Sequence, residues 1–309
     1  ADYTGTKIYN NYFGRVYHWG GSFGHADGFS FENAHRGTSI YNNVFQDIPG
    51  SGIIMGCVGP YLDHISVYNN LFINTPTFDD GSNGTLEIIG IPDCTEGINN
   101  IQIYNNTIAN PKARVLQLNL WGGMTDSLVL NNTIRNNIFS SDSALQLVNW
   151  PATQISNIFT NNLVKSAYTS ADTRLMNLRG NNYSCAGIGS AGQGNICADP
   201  LFVSAAGNNF HLAAGSPAID AGTSTGIPSG RITDINNTLA AAHSLPSYAD
   251  NQGMSGSAWD IGADEFLGGA PDTTPPSAPN NLSGIYVALN SLLNTFAVFL
   301  GVFGNAGGL

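Results

Sequence analysis

A chain of 309 residues with only 10% charged side chains cannot cover itself with the Lys- and Glu-rich faces that solvate helical proteins, so its solubility must come from Asn, Ser, Thr and Gly. That composition suits short strands joined by many turns, because Asn and Gly tolerate left-handed backbone. Ten Lys and Arg against 21 Asp and Glu leave a net charge of -11, and with no basic cluster to offset it a nucleic-acid partner is excluded.

The chain starts at Ala1 directly on repeat-like text, with no signal peptide in view, and reads as a mature or truncated product. One phrase recurs as IYNNYF (8–13), IYNNVF (40–45), VYNNLF (67–72), IYNNTI (103–108) and LNNTI (130–134), with fainter copies RNNIF (135–139) and TNNLV (160–164). Apolar residues alternate around each Asn pair, as a strand with one buried face requires. Stacked copies place Asn above Asn, where side-chain amides bond along the stack as a ladder. A single coil cannot bury its apolar face, so the core comes from stacking, and about ten coils fit before residue 268.

A second strand aligns in each period as GFSFEN, GIIMGC, TLEIIG, VLQLN and ALQLVN. In this register Phe29, Ile53, Leu86, Leu116 and Leu145 point inward, followed two residues later by Phe31, Met55, Ile88, Leu118 and Leu147. The intervening positions, Ser30, Ile54, Glu87, Gln117 and Gln146, point outward. Glu87, Gln117 and Gln146 thus form a row of groups able to bond sugar hydroxyls. Trp121 and Trp150 follow their strands in NLWGG and VNWPA, where indoles stack on sugar faces or cover the core edge.

Catalytic candidates are sparse. Lys112 and Arg114 in NPKARVL sit two apart, on one side of a strand, as base and charge neutraliser for an elimination or simply as a solvated strand entry. Asp79 and Asp80, with Glu87, are the nearest carboxylate group and the candidate calcium ligands, against a plain exposed turn. His18, His25 and His35 lack ligand spacing and read as structural. The four cysteines show no CxxC motif. Cys185 and Cys197 flank a Gly-rich loop that a disulfide would close, whereas Cys57 and Cys94 stay open between a bond and buried free thiols.

The segments ADPLFV (198–203), FHLAAGSPAIDAG (210–222), DINN (234–237) and DIGADEF (260–266) together resemble the closing portion of bacterial surface β-helix proteins of the pectate-lyase-like superfamily. The resemblance implies a right-handed parallel β-helix, secreted or at the cell surface. Asp199, Asp220, Asp260, Asp264 and Glu265 in these segments read as acceptors for turn amides. HADGFSFENAHRG (25–37) is similar to the stretch of a pectate lyase family in which an aspartate binds calcium, which implies that role for Asp27. That family continues with a lysine and then paired aspartates before glycine. This chain has Phe31-Glu32 and Pro49-Gly50-Ser51-Gly52 there, so most of such a calcium site is missing.

GGAPDTTPPSAPN (268–280) is Pro- and Thr-rich, extended and semi-rigid, and is similar to the entry into a fibronectin type III module that the remaining residues are too few to build. IYVALNSLLNTFAVFLGVF (285–303) carries no charge, with Leu289, Leu292, Leu293, Phe296, Leu300 and Phe303 at helical spacing. It reads as a cap on the solenoid or a contact with a neighbouring subunit. A membrane anchor is less favoured, because no Lys or Arg follows to hold it.

The expectation is therefore an all-β chain: a single-stranded right-handed parallel β-helix over 1–267, a linker over 268–284 and an apolar, helix-patterned segment over 285–309. Its expected role is an extracellular structural, adhesive or filament-forming scaffold, partnered by polysaccharide or by self-association through 285–303, with no cofactor required and calcium the one cation it could take. The alternative is a polysaccharide lyase or glycoside hydrolase acting on acidic polysaccharide.

Overall fold

The computed structural model describes residues 3–14, 16, 26–77, 84–142, 146–166, 175–223, 243, 245 and 256–266. Asp79, Asp80, Leu145, His18, His25, the linker 268–284 and the segment 285–303 lie outside them.

Each Asn pair turns the chain through a corner. The first Asn is left-handed in every copy, with φ of 56° at Asn10, 54° at Asn42, 54° at Asn69, 51° at Asn105, 52° at Asn136 and 51° at Asn161. Asn enters this region more readily than other L-residues because its short amide bonds locally. Two further corners use the same device. One falls at Gly5, Gly37, His64, Asn100 and Asn131, and the other at Asp47, Asn74 and Asn110, all with positive φ.

Between corners run short strands that the chain revisits in order. Sheet 1 begins at Tyr3–Thr4 and has five strands, and sheet 2 begins at Lys7–Tyr9 and has six. Sheet 3 begins at Tyr12–Gly14 and sheet 4 at Phe29–Glu32, with seven strands each. Every pairing in these sheets is parallel except the last in sheet 4, where Asn181–Tyr183 runs antiparallel to Met176–Leu178. The protein is all-β with long parallel sheets, an arrangement consistent with a β-helix. Inward rows stack in register, Ile40, Val67, Ile103 and Ile134 from sheet 2 and Phe45, Phe72, Ile108 and Phe139 from sheet 3. They merge with the inward residues of sheet 4 into one buried core.

The second Asn of each pair forms the expected ladder. Nδ2 of Asn11 donates to Oδ1 of Asn43 (3.1 Å), and the same bond continues through Asn70, Asn106, Asn137, Asn162 and Asn195 at 2.9–3.2 Å. Each Oδ1 also accepts the backbone N–H of the Asn one circuit earlier, as Asn106 Oδ1 does from Asn70 at 3.0 Å. A second, shorter ladder joins Asn132 to Asn157 at 2.9 Å. On the outer face of sheet 2, Tyr9, Tyr41, Tyr68 and Tyr104 stack with centroids 4.8–5.0 Å apart, and Arg135 lies over the last ring.

Two expectations are corrected. Leu116 pairs with Val148, and Gln117 with Asn149, so Asn149 and not Gln146 continues the outward row of sheet 4. The cause is a local irregularity at Leu147, whose carbonyl accepts both the Val115 and Leu116 N–H groups (2.7 and 3.1 Å) and resets the alternation. Sheet 3 also counts only seven strands among the described residues, because described residues from 202–221, with Leu245 and Ile261, pack over it instead of adding to it. Its outward row, Val44, Leu71, Thr107, Ile138 and Leu163, is nearly all apolar and demands a cover. Phe210 and Leu245 cover one half of that face, and Leu212, Ala218 and Ile261 the other.

This strap is pinned by its acidic residues. Asp260 accepts N–H bonds from Asp220 (2.7 Å) and Phe266 (2.6 Å), and Asp264 accepts from Leu212 N (2.8 Å). Asp220 accepts from the Ser257 and Ala258 amides, and Asp199 from that of Leu201. Two disulfides add constraint, Cys57–Cys94 inside the core and Cys185–Cys197 beside the last circuit. By loop-closure entropy they contribute about 4 and about 3 kcal/mol respectively.

Asn106→Ala leaves the Asn70 amides without their acceptor and lowers unfolding free energy by about 3 kcal/mol in denaturant titrations, whereas Asn11→Ala, at the exposed end of the ladder, costs less than about 1 kcal/mol. Burial pushes the Asp260 carboxyl up to about 6, with Asp264 and Asp220 adding repulsion against the amide bonds. A raised folded pKa contributes stability that is complete below the unfolded value and is lost as pH rises through about 6. Thermal melts of wild type and Asp260→Asn therefore diverge in favour of wild type as pH falls from about 7 to about 5.

Candidate functional site

The outward row of sheet 4 does not form an open glycan platform. Glu87 and Gln117 are buried, and Glu87 accepts bonds from Ser51 Oγ and Asn119 Nδ2, both at 2.8 Å. Gln146 lies at the strand entry, where its Oε1 accepts from Arg114 Nε (3.0 Å). Trp150 is 2% exposed and belongs to the core, leaving Trp121, 49% exposed, as the solvent-facing indole of the pair.

The lyase candidates part in the same way. Arg114 opens the strand Arg114–Leu120, but Lys112 precedes it in a bend, so the two do not share a strand face. Asp27 Oδ1 accepts the Ser51 N–H at 2.7 Å. Ser51 thus links Asp27 to Glu87 in a network that holds the loop Pro49–Gly52 against sheet 4. His35 points into the core, edge-on to Phe31 at 4.6 Å, and burial holds its imidazole below the usual range. No cluster of metal-ligating residues occurs among the described residues, and none of their helices is long and apolar enough to cross a membrane.

The open polar site lies on sheet 1. Its outward positions form one axial row, Thr4, Arg36, Asp63, Asn99 and Leu130, each paired with the next. Parallel strands set these side chains about 4.8 Å apart. Each stands immediately before a left-handed corner, which turns the chain away and leaves the side chain on the rim. With Tyr61, Glu96, Asn100 and Asn131, the row from Arg36 to Leu130 lines an open cavity of about 330 Å³.

Arg36 is the best-anchored group in it. Its guanidinium lies 4.3 Å over the Tyr61 ring, and Nε donates to Asp63 Oδ2 at 3.0 Å. It remains 48% exposed at the cavity wall. Asp63 Oδ1 receives Asn100 Nδ2 (2.9 Å) and lies 2.7 Å from His64 Nδ1. Burial opposes ionisation of Asp63, but the Asn100 bond, the His64 bond and charge, and the Arg36 bond together outweigh it and hold the carboxyl below its ordinary value. Asn99 Nδ2 donates to the Glu96 carbonyl (2.7 Å), while its Oδ1 is buried with no donor among the described residues. The site therefore offers a fixed cation, two carboxylates and several amides, a set able to bond hydroxyls.

Sequence reasoning missed Arg36, Tyr61, Asp63, Glu96 and Asn99. A signal existed: Thr4, Arg36, Asp63, Asn99 and Leu130 each stand five residues before Tyr9, Tyr41, Tyr68, Tyr104 and Arg135. Comparison of the chain with protein-family models, with curated proteins and with solved structures returns no match, so the chemistry of the site rests on its own geometry.

A depressed folded pKa gives stability that is present above the unfolded value and lost as pH falls through the folded one. Acid titration followed by circular dichroism is expected to show Asp63→Asn losing less stability than wild type below about pH 4, because it lacks this carboxylate.

Proposed function

We propose that this protein is an extracellular, non-catalytic scaffold, a right-handed parallel β-helix of the pectate-lyase-like kind, that binds a neutral polysaccharide along the outer face of sheet 1. The observation that carries this reading is the axial row Arg36, Asp63 and Asn99 beside an open cavity. A linear polysaccharide is itself periodic, and a row with one polar group per circuit meets successive sugars with similar bonds. The charges favour a neutral ligand: Arg36 is matched by Asp63, and Glu96 adds a further negative charge that repels uronates. Pairing of all four cysteines, together with the polar uncharged composition, supports an oxidising extracellular setting.

Isothermal titration of the full chain with neutral and uronate oligosaccharides tests this. Binding is expected for a neutral series, weakened about tenfold by Arg36→Ala or Asn99→Ala, in line with loss of one or two hydrogen bonds. Absence of heat from every neutral oligosaccharide, or tighter binding of uronates, counts against it. The link between Asp27 and Glu87 through Ser51 favours the second reading, a lyase or hydrolase working on sheet 4. Absorbance growing at about 235 nm with pectate or alginate and calcium, and lost in Glu87→Gln, would replace the scaffold with a lyase.

A further inference from the structure

The strands of sheet 1 stop at Val129–Leu130, but its outward row runs one circuit further. Ile155 stands at the same interval before the ladder residue Asn162 as Leu130 does before Asn137. Bonds across the corner fix this register, with Asn131 N donating to Ser156 Oγ (3.1 Å) and Asn132 N to Asn157 Oδ1 (3.2 Å). From Arg36 onward the row therefore reads Arg36, Asp63, Asn99, Leu130, Ile155, polar at first and then aliphatic. One circuit beyond, the same interval before Asn195 falls on Ile188, which is buried in the main core, so the row ends at Ile155.

Ile155 is 85% exposed, the most exposed large apolar side chain among the described residues. A lone surface isoleucine needs no explanation, but this one is held out on a fixed turn. Thr153 donates from its N–H and its hydroxyl to Asp126 Oδ2 (3.0 and 2.6 Å), and the Asn157 N–H closes the turn on the Gln154 carbonyl (3.1 Å). Ile158, 46% exposed, follows just past the same corner. Leu130 is half-buried and already forms part of the cavity wall. From Asn99 to Ile155 is two strand spacings, about 10 Å, so the site passes from an ion pair and amides to aliphatic side chains within the length of a few sugars.

We propose that the sheet 1 site takes the end of a neutral glycan that carries an alkyl aglycone. The sugars lie along Arg36, Asp63 and Asn99, and the alkyl group lies over Leu130 and Ile155. This rests on the glycan reading above and adds the direction in which the ligand lies. Apolar substituents scattered along a polysaccharide would be matched by aliphatic residues interspersed through the row, whereas one apolar end of the row matches one apolar terminus. A protein partner is a poorer fit, because a stable interface buries about 800 Å² on each side and three aliphatic side chains fall well short of that.

The test is isothermal titration of the full chain with methyl and octyl glycosides of maltotetraose, cellotetraose and xylotetraose, each below its micelle concentration. For a tetrasaccharide that binds, the octyl form is expected to bind about tenfold more tightly than the methyl form. Ile155→Ser, at a position too exposed to disturb folding, is expected to cut that gain below about twofold and to leave the methyl glycoside unaffected. Arg36→Ala is expected to weaken both forms alike. Equal affinity of the two forms would overturn this inference and leave the glycan reading standing, whereas binding by neither form would sink both. A gain that persists in Ile155→Ser, or octyl binding indifferent to Arg36→Ala, would also overturn it. So would a dimer in sedimentation that Ile155→Ser abolishes, which would assign the aliphatic end to a second copy.

Discussion

The amide relay along the inner corner is the constraint on which the other features depend. A buried Asn amide is costly unless both its donor and acceptor sides are bonded, and no single circuit can supply those partners. Asn70 takes its acceptor from Asn106 and offers its oxygen to Asn43. The relay therefore works only when successive circuits are in register, and a slip of one residue would leave several buried amides unsatisfied at once. Apolar burial drives the circuits together but is tolerant of sliding. The amides decide where they stop.

The same relay explains why the corners are so uniform. With the second Asn pointing inward and bonded upward, the first must reverse the chain within one residue, and the left-handed conformation does this. The tyrosines on the other side of the corner are carried into line as a result, so their parallel stack follows from the ladder. Burial within that stack pushes the phenols of Tyr68 and Tyr104 above their ordinary range, which keeps the column neutral and compatible with close ring contact.

How much of this was legible in the sequence depended on whether a residue type was tied to its role. The Asn pairs were legible because few other residues satisfy both halves of the corner. The inward rows of sheet 4 were legible as far as Leu118, where alternation is unbroken. It failed at Leu147 because ALQLVNW alternates acceptably in two frames, and a backbone irregularity chose between them. The cover that Phe210, Leu212, Ala218 and Ile261 place over sheet 3 was hidden for a related reason: Val44, Leu71 and Ile138 are the usual residues of any buried strand, and letters alone do not reveal that they face outward. The cavity of sheet 1 was hidden because its corner is served by Gly, His and Asn in turn, so no fixed word marks it. Tyr61 and Glu96 join it only through the fold.

One regularity has a wider consequence. From each outward residue of sheet 1 to the ladder Asn that follows, the chain length is constant, as in Arg36 to Asn43, Asp63 to Asn70, Asn99 to Asn106 and Leu130 to Asn137. The variation in circuit length is confined to the path that leads through sheet 4 and back. The molecule thus has one invariant edge and one tolerant edge. Loops on the tolerant edge can grow or change without disturbing the interval at which groups appear on the other. The invariant edge behaves as a ruler whose graduations are set by backbone spacing alone, so whatever lies along it is selected by its repeat length as much as by its chemistry.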